Sequence, residues 1–508
     1  MGEILVVGAG PTGLTMAAEL ARHGAAVRIV DRATAPATTS RALVVQPRTL
    51  ELFDDLGVVD AALAAGTRAD SVNLVFDRER RARIDVSGLL TEPETHTEYP
   101  WLFSLSQHET ERVLTDHLAS LGVGVERGVT LTGLTQDPDG VTALLDGRAV
   151  RFDWVVGCDG ARSAVRTAIG MPFEGATYAE EFIMADARLD WELPDGDLYV
   201  FPSRSGFLAA FAMPGAGRFR IFGNVGAHGS PDYSEPTHEE FQTMLDERLP
   251  LPARVVEEYW VSRYRLHRRG VPRYRDGRVF LVGDAAHVHS PAGAQGMNTG
   301  IQDAYNLAWK LARACRGPAS DSLLDSYHAE RHPVGQRLLR TTDRMFSVIS
   351  GQGAVARFAR GHVGPVLARR VLGRESVRRW LIGTFAQLRI SYPDSPLNAR
   401  DGGWRDGPAP GDRAREASLG TGRVYDVLRG THHTVLLFGE WTGLAARIEE
   451  TYRGRVVARV VGADETAARV AYGVSGSGGF VIRPDKYIAY RADPLDPEHL
   501  LADLAARL

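Results

Sequence analysis

A carboxylate that follows a glycine turn is the feature of this chain whose residue types and spacing could do chemistry. Asp284 follows an apolar stretch, Arg278–Val282, and precedes a loop rich in Gly, Ala and Pro. The stretch suits a buried strand, whereas Ile301–Ala312 repeats its apolar residues at helical spacing. A carboxylate at the carboxyl end of a strand lies where open α/β sheets bind ligands. The start of the following helix would favour an anion.

A second turn of this kind lies near the amino terminus. The apolar strand Ile4–Val7 precedes a glycine loop and a helix over Leu14–His23, and the next strand, Ala26–Val30, ends in an acidic residue. This order is the dinucleotide-binding pattern, with a diphosphate at the helix N-terminus and the carboxylate on a ribose hydroxyl. The residues predicted to bind a dinucleotide are Gly8, Gly10, Pro11, Thr12, Gly13, Asp31 and Arg32.

A third turn follows the apolar strand that begins at Trp154. Asp159-Gly160 ends this strand, and a short helix with Arg162 and Arg166 comes next. An N-terminal GxGxxG, a central DG and a later GD resemble the triple signature of group A flavoprotein monooxygenases, the FAD-dependent aromatic hydroxylases. The similarity extends over nearly the whole chain and is greatest to the branch of polyketide and phenol hydroxylases.

This resemblance implies a flavin enzyme. FAD would be the cofactor, NADPH or NADH the transient co-substrate, and O2 and an aromatic small molecule the substrates. The flavin would deliver oxygen from a C4a-hydroperoxide, so no catalytic side chain is assigned and the protein supplies binding and orientation. The absence of a second GxGxxG favours transient docking of the nicotinamide cofactor.

The resemblance also implies roles for individual residues. Arg41 would contact the FAD diphosphate, although a surface arginine that caps a helix stays open. Gln107 would lie near the ribityl chain, Asp284 would accept from a ribityl hydroxyl, and Pro291 would flank the ring. The other cofactor residues are Asp159, Gly283, Gly296, Met297 and Asn298. Ala294 stands where many relatives carry glycine.

The segment between the DG and GD motifs, from Gly175 to Arg275, has a different pattern. Short runs rich in aromatic and β-branched residues, bounded by Gly and Pro, predict an antiparallel sheet that roofs the ring and forms a substrate pocket. Phe201, Phe211 and Phe222 are the predicted substrate residues, with Phe207 and Phe219 as further candidates. For each of these rings a place in the core remains the alternative.

The predicted fold is α/β with several domains, as expected for 508 residues. A Rossmann-like FAD-binding domain with a helical extension would comprise 1–174 and 276–392. The substrate domain would comprise 175–275 with part of 71–105, followed by a linker over 393–412. Residues 413–508 resemble a thioredoxin-like domain without CxxC, for which a structural or dimer-related role is expected.

Composition excludes several other classes of protein. A net charge of −4 does not indicate a nucleic-acid-binding protein. The basic run Arg263–Arg275 reads as a solvated strand and turn that could help to admit an anionic nicotinamide cofactor. Cys158 and Cys315 match no disulfide framework. Neither a signal peptide nor a membrane-spanning run is present, so the cytoplasm is the expected location.

Particular residues argue for or against alternative functions. His287 and His289 have no third metal ligand nearby, so no metal is predicted. Flavin-dependent halogenases are disfavoured because the WxWxIP motif and a suitably placed lysine are missing. Baeyer–Villiger oxygenation on the same fold and a non-catalytic flavin-binding regulator remain open, as does a homodimer.

Overall fold

The computed structural model describes residues 2–38, 42–77, 81–85, 96–203, 206–226, 235–289, 294–317, 320–350, 374, 383–404 and 406–508. Within these ranges the chain has a mixed α/β fold. The helices are α1 (Pro11–Arg22), α2 (Pro47–Leu56), α3 (Val59–Ala65), α4 (Gln107–Ser120), α5 (Ala164–Ala168), α6 (His238–Arg248), α7 (Gly296–Ala314), α8 (Asp321–Ser350), α9 (Val424–Leu428), α10 (Thr442–Thr451), α11 (Thr466–Tyr472) and α12 (Pro497–Arg507). No helix among these residues is long and apolar enough to cross a membrane.

A six-stranded sheet places the three glycine turns side by side. Its spatial order is β18 (Arg275–Asp276), β19 (Val279–Leu281), β12 (Trp154–Gly157), β1 (Glu3–Val7), β2 (Ala26–Asp31) and β8 (Val125–Arg127). All neighbours are parallel except β18 and β19. Parallel strands end at one edge of a sheet. Four adjacent strands are therefore followed, at the same edge, by the GD turn, the DG turn, the GxGxxG turn and Asp31. The sequence prediction that these turns converge is confirmed.

An eight-stranded sheet lies over that edge. Its order is β20 (His287–Val288), β17 (Ala253–Gly270), β13 (Glu174–Trp191), β16 (Arg218–Gly226), β15 (Gly206–Ala212), β14 (Leu198–Ser203), β5 (Ser71–Val75) and β6 (Arg81–Asp85). All neighbouring strands except β14 and β5 pair antiparallel. The expected antiparallel sheet is therefore present, with strands from 71–85 added at one edge.

The two faces of this sheet have different surroundings. We call the face packed against α6 the covered face; its buried side chains include Ile183, Phe201, Leu208, Phe219 and Ile221, together with Phe241 and Leu245 of the helix. The opposite face, here called the cavity face, carries Phe182, Met184, Phe207, Phe222 and Leu266. Successive side chains of a strand point to opposite faces, which explains the alternation.

A five-stranded sheet forms the C-terminal part. Its order is β21 (Ala399–Gly402), β27 (Ile488–Asp493), β26 (Gly478–Ile482), β24 (His433–Phe438) and β25 (Val456–Val461). Residues 399–402 were expected to belong to a linker. They instead form an edge strand parallel to β27, because sheet pairing overrides the local Pro- and Gly-rich composition. The described residues also form three small sheets: β9 (Leu131–Asp137), β10 (Gly140–Leu145) and β11 (Arg148–Phe152); β3 (Val44–Val45), β4 (Thr67–Ala69) and β7 (Leu102–Ser104); and β22 (Ser418–Leu419) with β23 (Gly422–Arg423).

Buried ion pairs join α7 to α8 and the C-terminal part of the chain to α2. Lys310 lies 2.7 Å from Glu330, and Lys486 lies 3.1 Å from Asp55, with all four side chains almost fully buried. Arg413 contacts Glu51 at 2.9 Å in the same interface. Both lysines of the chain are therefore structural, and losing one partner of such a pair would leave a buried charge uncompensated.

Candidate active site

The GxGxxG loop is shaped by close backbone contacts. Gly8 has φ +104°, and a Cβ there would lie 2.5 Å from the carbonyl oxygen of Cys158. A Cβ on Gly13 would overlap the carbonyl oxygen of Gly8. Both positions therefore require glycine, and the turn delivers the N-terminus of α1 to the sheet edge. Gly10, Pro11 and Thr12 line a cavity at that edge.

The acidic end of β2 holds this loop in place. Asp31 Oδ2 accepts a hydrogen bond from the Ala9 N–H at 2.6 Å, and Oδ1 accepts from the Ala33 N–H at 2.7 Å. Arg32 is exposed. Each carboxylate oxygen can accept more than one hydrogen bond, so the ribose contact predicted for Asp31 stays compatible with these bonds.

The GD turn packs directly on the GxGxxG loop. Gly283 has φ +60°, and a Cβ there would lie 2.9 Å from Thr12 Oγ1. A Cβ on Gly300 would overlap the same oxygen. The next residue, Asp284, is exposed and lines the cavity.

The DG turn supplies a partly buried carboxyl group with one buried oxygen available. Asp159 Oδ2 accepts from the N–H groups of Ala164 and Val165 at 2.6 and 3.1 Å. Its Oδ1 is buried and has no hydrogen-bond partner among the described residues. Burial raises the pKa of this carboxyl, against the hydrogen bonds that lower it. A bound ligand with a donor group would satisfy the orphaned oxygen.

The start of α7 forms another wall of the cavity. Gly296 and Met297 line it. Asn298 is buried: its Nδ2 donates to the Val44 carbonyl at 2.8 Å and its Oδ1 accepts from the Gln46 N–H at 2.8 Å. Ala294 has φ +52°, a conformation that favours glycine, so a side chain at this position strains the loop.

Two predicted residues, Arg41 and Pro291, lie outside the described residues. Gln107 lines the cavity and donates from Nε2 to Glu111 Oε1 at 2.8 Å.

His287 is buried and lies 2.8 Å from Asp303 Oδ2, and Arg331 lies 2.6 Å from the other oxygen of that carboxylate. Among the described residues there is no group of three side chains that could hold a metal.

The cavity has a volume of about 380 Å³ and is bounded by the three turns on one side and the cavity face of the sheet on the other. Side chains from the sheet that line it are Met184, Phe211, Arg220, Phe222, Tyr264, Arg265, Leu266 and His267. Two of the predicted substrate residues, Phe211 and Phe222, are therefore in this wall. Such an apolar wall with a few polar groups is typical of a small-molecule site.

Phe201 is not in the cavity wall, and its predicted contact with substrate is wrong. It is 0% exposed and packs in the covered face, with its ring centroid 6.1 Å from that of Trp191. The register explains this placement, because Phe201 pairs with Leu208, and Leu208 pairs with Gly223 rather than Phe222. Phe219 likewise belongs to the covered face.

Sequence reasoning missed Arg220 on the cavity face. Its Nε and Nη2 donate to the two oxygens of Asp186 at 2.6 and 2.7 Å, and its Nη1 donates to the Ala42 carbonyl at 2.9 Å. The hydrogen bond to Ala42 thus ties the sheet to the segment before β3. The alternation Arg218-Phe219-Arg220-Ile221-Phe222 could have revealed it, since Arg220 and Phe222 share a face.

The basic run of β17 was expected to be solvated, and part of that expectation is wrong. The Arg263 side chain is 4% exposed and lies 3.5 Å from Glu181 and 2.9 Å from Glu240. Tyr264, Arg265, Leu266 and His267 line the cavity. Pairing of β17 with β13 places this run inside the sheet.

Comparison with known proteins decides the family. A model of the FAD binding domain matches residues 1–342, and a model of the aromatic-ring hydroxylase C-terminal region matches 407–508. The chain belongs to the FAD-dependent aromatic hydroxylases. One relative of this hydroxylase is 6-methylpretetramide 4-monooxygenase of Streptomyces rimosus, 38% identical over 99% of this chain and 93% of that protein.

Solved structures of related monooxygenases agree with this assignment. OxyS anhydrotetracycline hydroxylase from Streptomyces rimosus has a TM-score of 0.78 and 31% identity, covering 97% of this chain and 95% of that one. The flavin-dependent monooxygenase PieE, solved with FAD and substrate, has a TM-score of 0.79 and 25% identity, covering 99% of each chain. The hydroxylase described here is therefore a flavin-dependent monooxygenase of aromatic compounds with FAD as its cofactor.

Proposed function

We propose that this hydroxylase uses NADPH and O2 to add oxygen to a phenolic, polycyclic substrate of the aromatic polyketide type. One observation carries the proposal: the three dinucleotide-type turns and an aromatic sheet face enclose the same cavity. Relatives named for 6-methylpretetramide and for pentachlorophenol bracket the range of ring sizes. We name NADPH and not NADH only because NADPH is the usual co-substrate of this family.

The cofactor residues fit FAD. The N-terminus of α1 at Gly10–Thr12 would hold the diphosphate together with Arg41, and Asp31 would accept from the ribose while Arg32 lies beside it. Gln107 and Asp284 would contact the ribityl chain, and Asp159 Oδ1 would accept a hydrogen bond from the cofactor. Bound FAD supplies the oxygen-activating chemistry.

The protein's own contribution is orientation and charge. The N-terminus of α7, at Gly296–Asn298, would place a positive helix end beside the pyrimidine edge of the flavin ring, where negative charge develops on reduction. Pro291 would flank the ring. Phe211 and Phe222 would hold the aromatic substrate against it and keep water away.

The finer architecture belongs to the same proposal. A Rossmann-like FAD domain would comprise 1–174 and 276–392, an inserted substrate domain 175–275 with strands from 71–85, and a thioredoxin-like domain the residues from 413 onwards. The edge strand Ala399–Gly402 favours including part of 393–412 with that last domain. A homodimer and a cytoplasmic location remain predictions.

Flavin content tests the cofactor site. Asp284→Ala is expected to lose most of the bound FAD, because a ribityl hydroxyl loses its acceptor. The control is Asp139→Ala, which removes an exposed carboxylate at a hairpin turn. Full flavin occupancy in Asp284→Ala, measured by absorbance of the purified protein, would count against the assigned role.

NADPH oxidation tests the activity. The purified protein is expected to oxidise NADPH faster when an aromatic polyketide or a phenol is added, with an oxygenated product detectable by mass spectrometry. A panel that runs from single-ring phenols to tetracyclic polyketides would define the substrate size. A flavin-binding regulator would show neither stimulation nor product.

A further inference from the structure

A buried carboxyl lies beneath the loop that is predicted to hold the FAD diphosphate. Glu111, in the second turn of α4, is 5% exposed. A Cβ on Gly10 would lie 4.0 Å from its Oε1. An acidic group so close to an anion site is unexpected, because like charges repel more strongly where water is excluded.

The surroundings of Glu111 are defined on three sides. Its Oε1 accepts from Gln107 Nε2 at 2.8 Å within the same helix. The charged groups that act on it come from two neighbouring strands, Arg127 at the end of β8 and Asp31 at the end of β2, which are partners in the parallel register. The buried Nη2 of Arg127 has no hydrogen-bond partner among the described residues.

Before any ligand binds, the pKa of the Glu111 carboxyl is already above its usual value. Burial raises the pKa of its carboxyl; the hydrogen bond from Gln107 and the charge of Arg127 lower it, and Asp31 raises it further. A diphosphate at the N-terminus of α1 would add negative charge on the Gly10 side. That charge favours the protonated carboxyl again.

We propose that Glu111 is a positioning residue of the cofactor site that takes up one proton from solvent when the diphosphate of a dinucleotide binds beside Gly10. The carboxylate becomes a carboxylic acid, whose carbonyl oxygen still accepts from Gln107. No bond to the cofactor forms or breaks. The inference rests on the proposed FAD site and adds a proton to its binding equilibrium.

The sign of the pH effect follows from linkage. Because binding takes up a proton, FAD affinity falls as pH rises between the pKa of Glu111 in the free protein and its higher pKa in the complex. Within that interval the dissociation constant rises by up to tenfold per pH unit.

Calorimetric titration counts this proton directly. FAD is added to the full chain stripped of flavin at pH 6 to 8, in pairs of buffers with different ionisation enthalpies. The wild type is expected to take up as much as one proton per FAD, with a dissociation constant that rises with pH. Glu111→Gln keeps an acceptor for Gln107 and is expected to bind FAD with no uptake and no pH dependence in that range.

Two further variants separate this role from a structural one. Glu109→Gln removes a partly exposed carboxylate of the same helix, which lies 2.8 Å from Arg112, and is expected to match the wild type. Glu111→Asp keeps a titrating carboxyl and is expected to retain proton uptake. FAD binding without uptake in the wild type, or equal uptake in Glu111→Gln, would overturn the proposal. Absence of FAD binding at every pH would instead overturn the FAD site and this inference with it.

Discussion

The two faces of the eight-stranded sheet contain the same types of residue and serve different purposes. On the covered face Phe201, Phe219 and Trp191 pack under α6, with the centroids of Trp191 and Phe219 4.7 Å apart. On the cavity face Phe182 and Phe222 stack at 5.3 Å. Phe219 and Phe222 belong to one strand, yet only the second ring meets the cavity.

This difference shows that the position of a ring in the pleat sets its role. An aromatic side chain on the covered face contributes through burial and packing, so its loss leaves a void in the core. On the cavity face the same side chain borders a space that a ligand can fill. Replacement of matched residues on the two faces should therefore separate loss of stability from loss of recognition.

The largest effect is expected from Phe201→Ala on the covered face. Removal of a fully buried ring should lower the free energy of unfolding by about 3 to 5 kcal/mol. Denaturant unfolding measures this loss, and the KM for an aromatic substrate should stay unchanged in the protein that remains folded. A loss below about 1 kcal/mol would show that the ring is not part of the core.

A smaller loss of stability is expected from Asp186→Asn on the cavity face. Arg220 would keep its charge in a site where its side chain is 3% exposed, which should cost about 2 to 3 kcal/mol. The hydrogen bond from Arg220 to the Ala42 carbonyl would also weaken, so the affinity for the aromatic substrate should fall.

The control is Arg188→Gln on the same strand. Its partner Glu257 lies 3.5 Å away and both side chains are about half exposed, so less than about 0.5 kcal/mol is expected. Equal losses from the two variants, measured by thermal and denaturant unfolding, would contradict a special role for the pair of Arg220 and Asp186.

Phe222→Ala should affect recognition more than stability. The ring is 7% exposed beside the cavity, so its loss should cost only about 1 to 2 kcal/mol. We expect the KM for an aromatic substrate to rise about tenfold and more NADPH to be oxidised without product, since about 1.4 kcal/mol of binding energy is lost. Phe219→Ala on the same strand should lose stability with an unchanged KM, and the reverse outcome would break the distinction between the faces.

The smallest effect is expected from Phe211→Ala. This half-buried ring lies in the cavity wall, so the free energy of unfolding should change by less than about 1 kcal/mol. The ratio of kcat/KM for a larger over a smaller aromatic substrate should rise several-fold because the pocket widens. An unchanged ratio would place Phe211 away from the bound substrate.

The sequence determined the convergence of the motifs on its own. The turns at Gly8, Asp159 and Gly283 each follow an apolar strand, and their resemblance to the three-motif signature of a flavoprotein family predicted that they meet at one edge of a parallel sheet. The glycines at 8 and 13 also follow from steric limits that any such turn imposes. The antiparallel sheet could likewise be predicted from short alternating runs.

Only the tertiary structure decided which side chains meet. Alternation fixes which residues of a strand share a face, but the face that looks into the cavity depends on pairings such as Phe201 with Leu208. Arg220 pairs with Asp186, 34 residues away along the chain, and Glu51 pairs with Arg413, 362 residues away. Ala399–Gly402 became a strand only by pairing with β27. Such contacts are long-range products of packing, which no local pattern encodes.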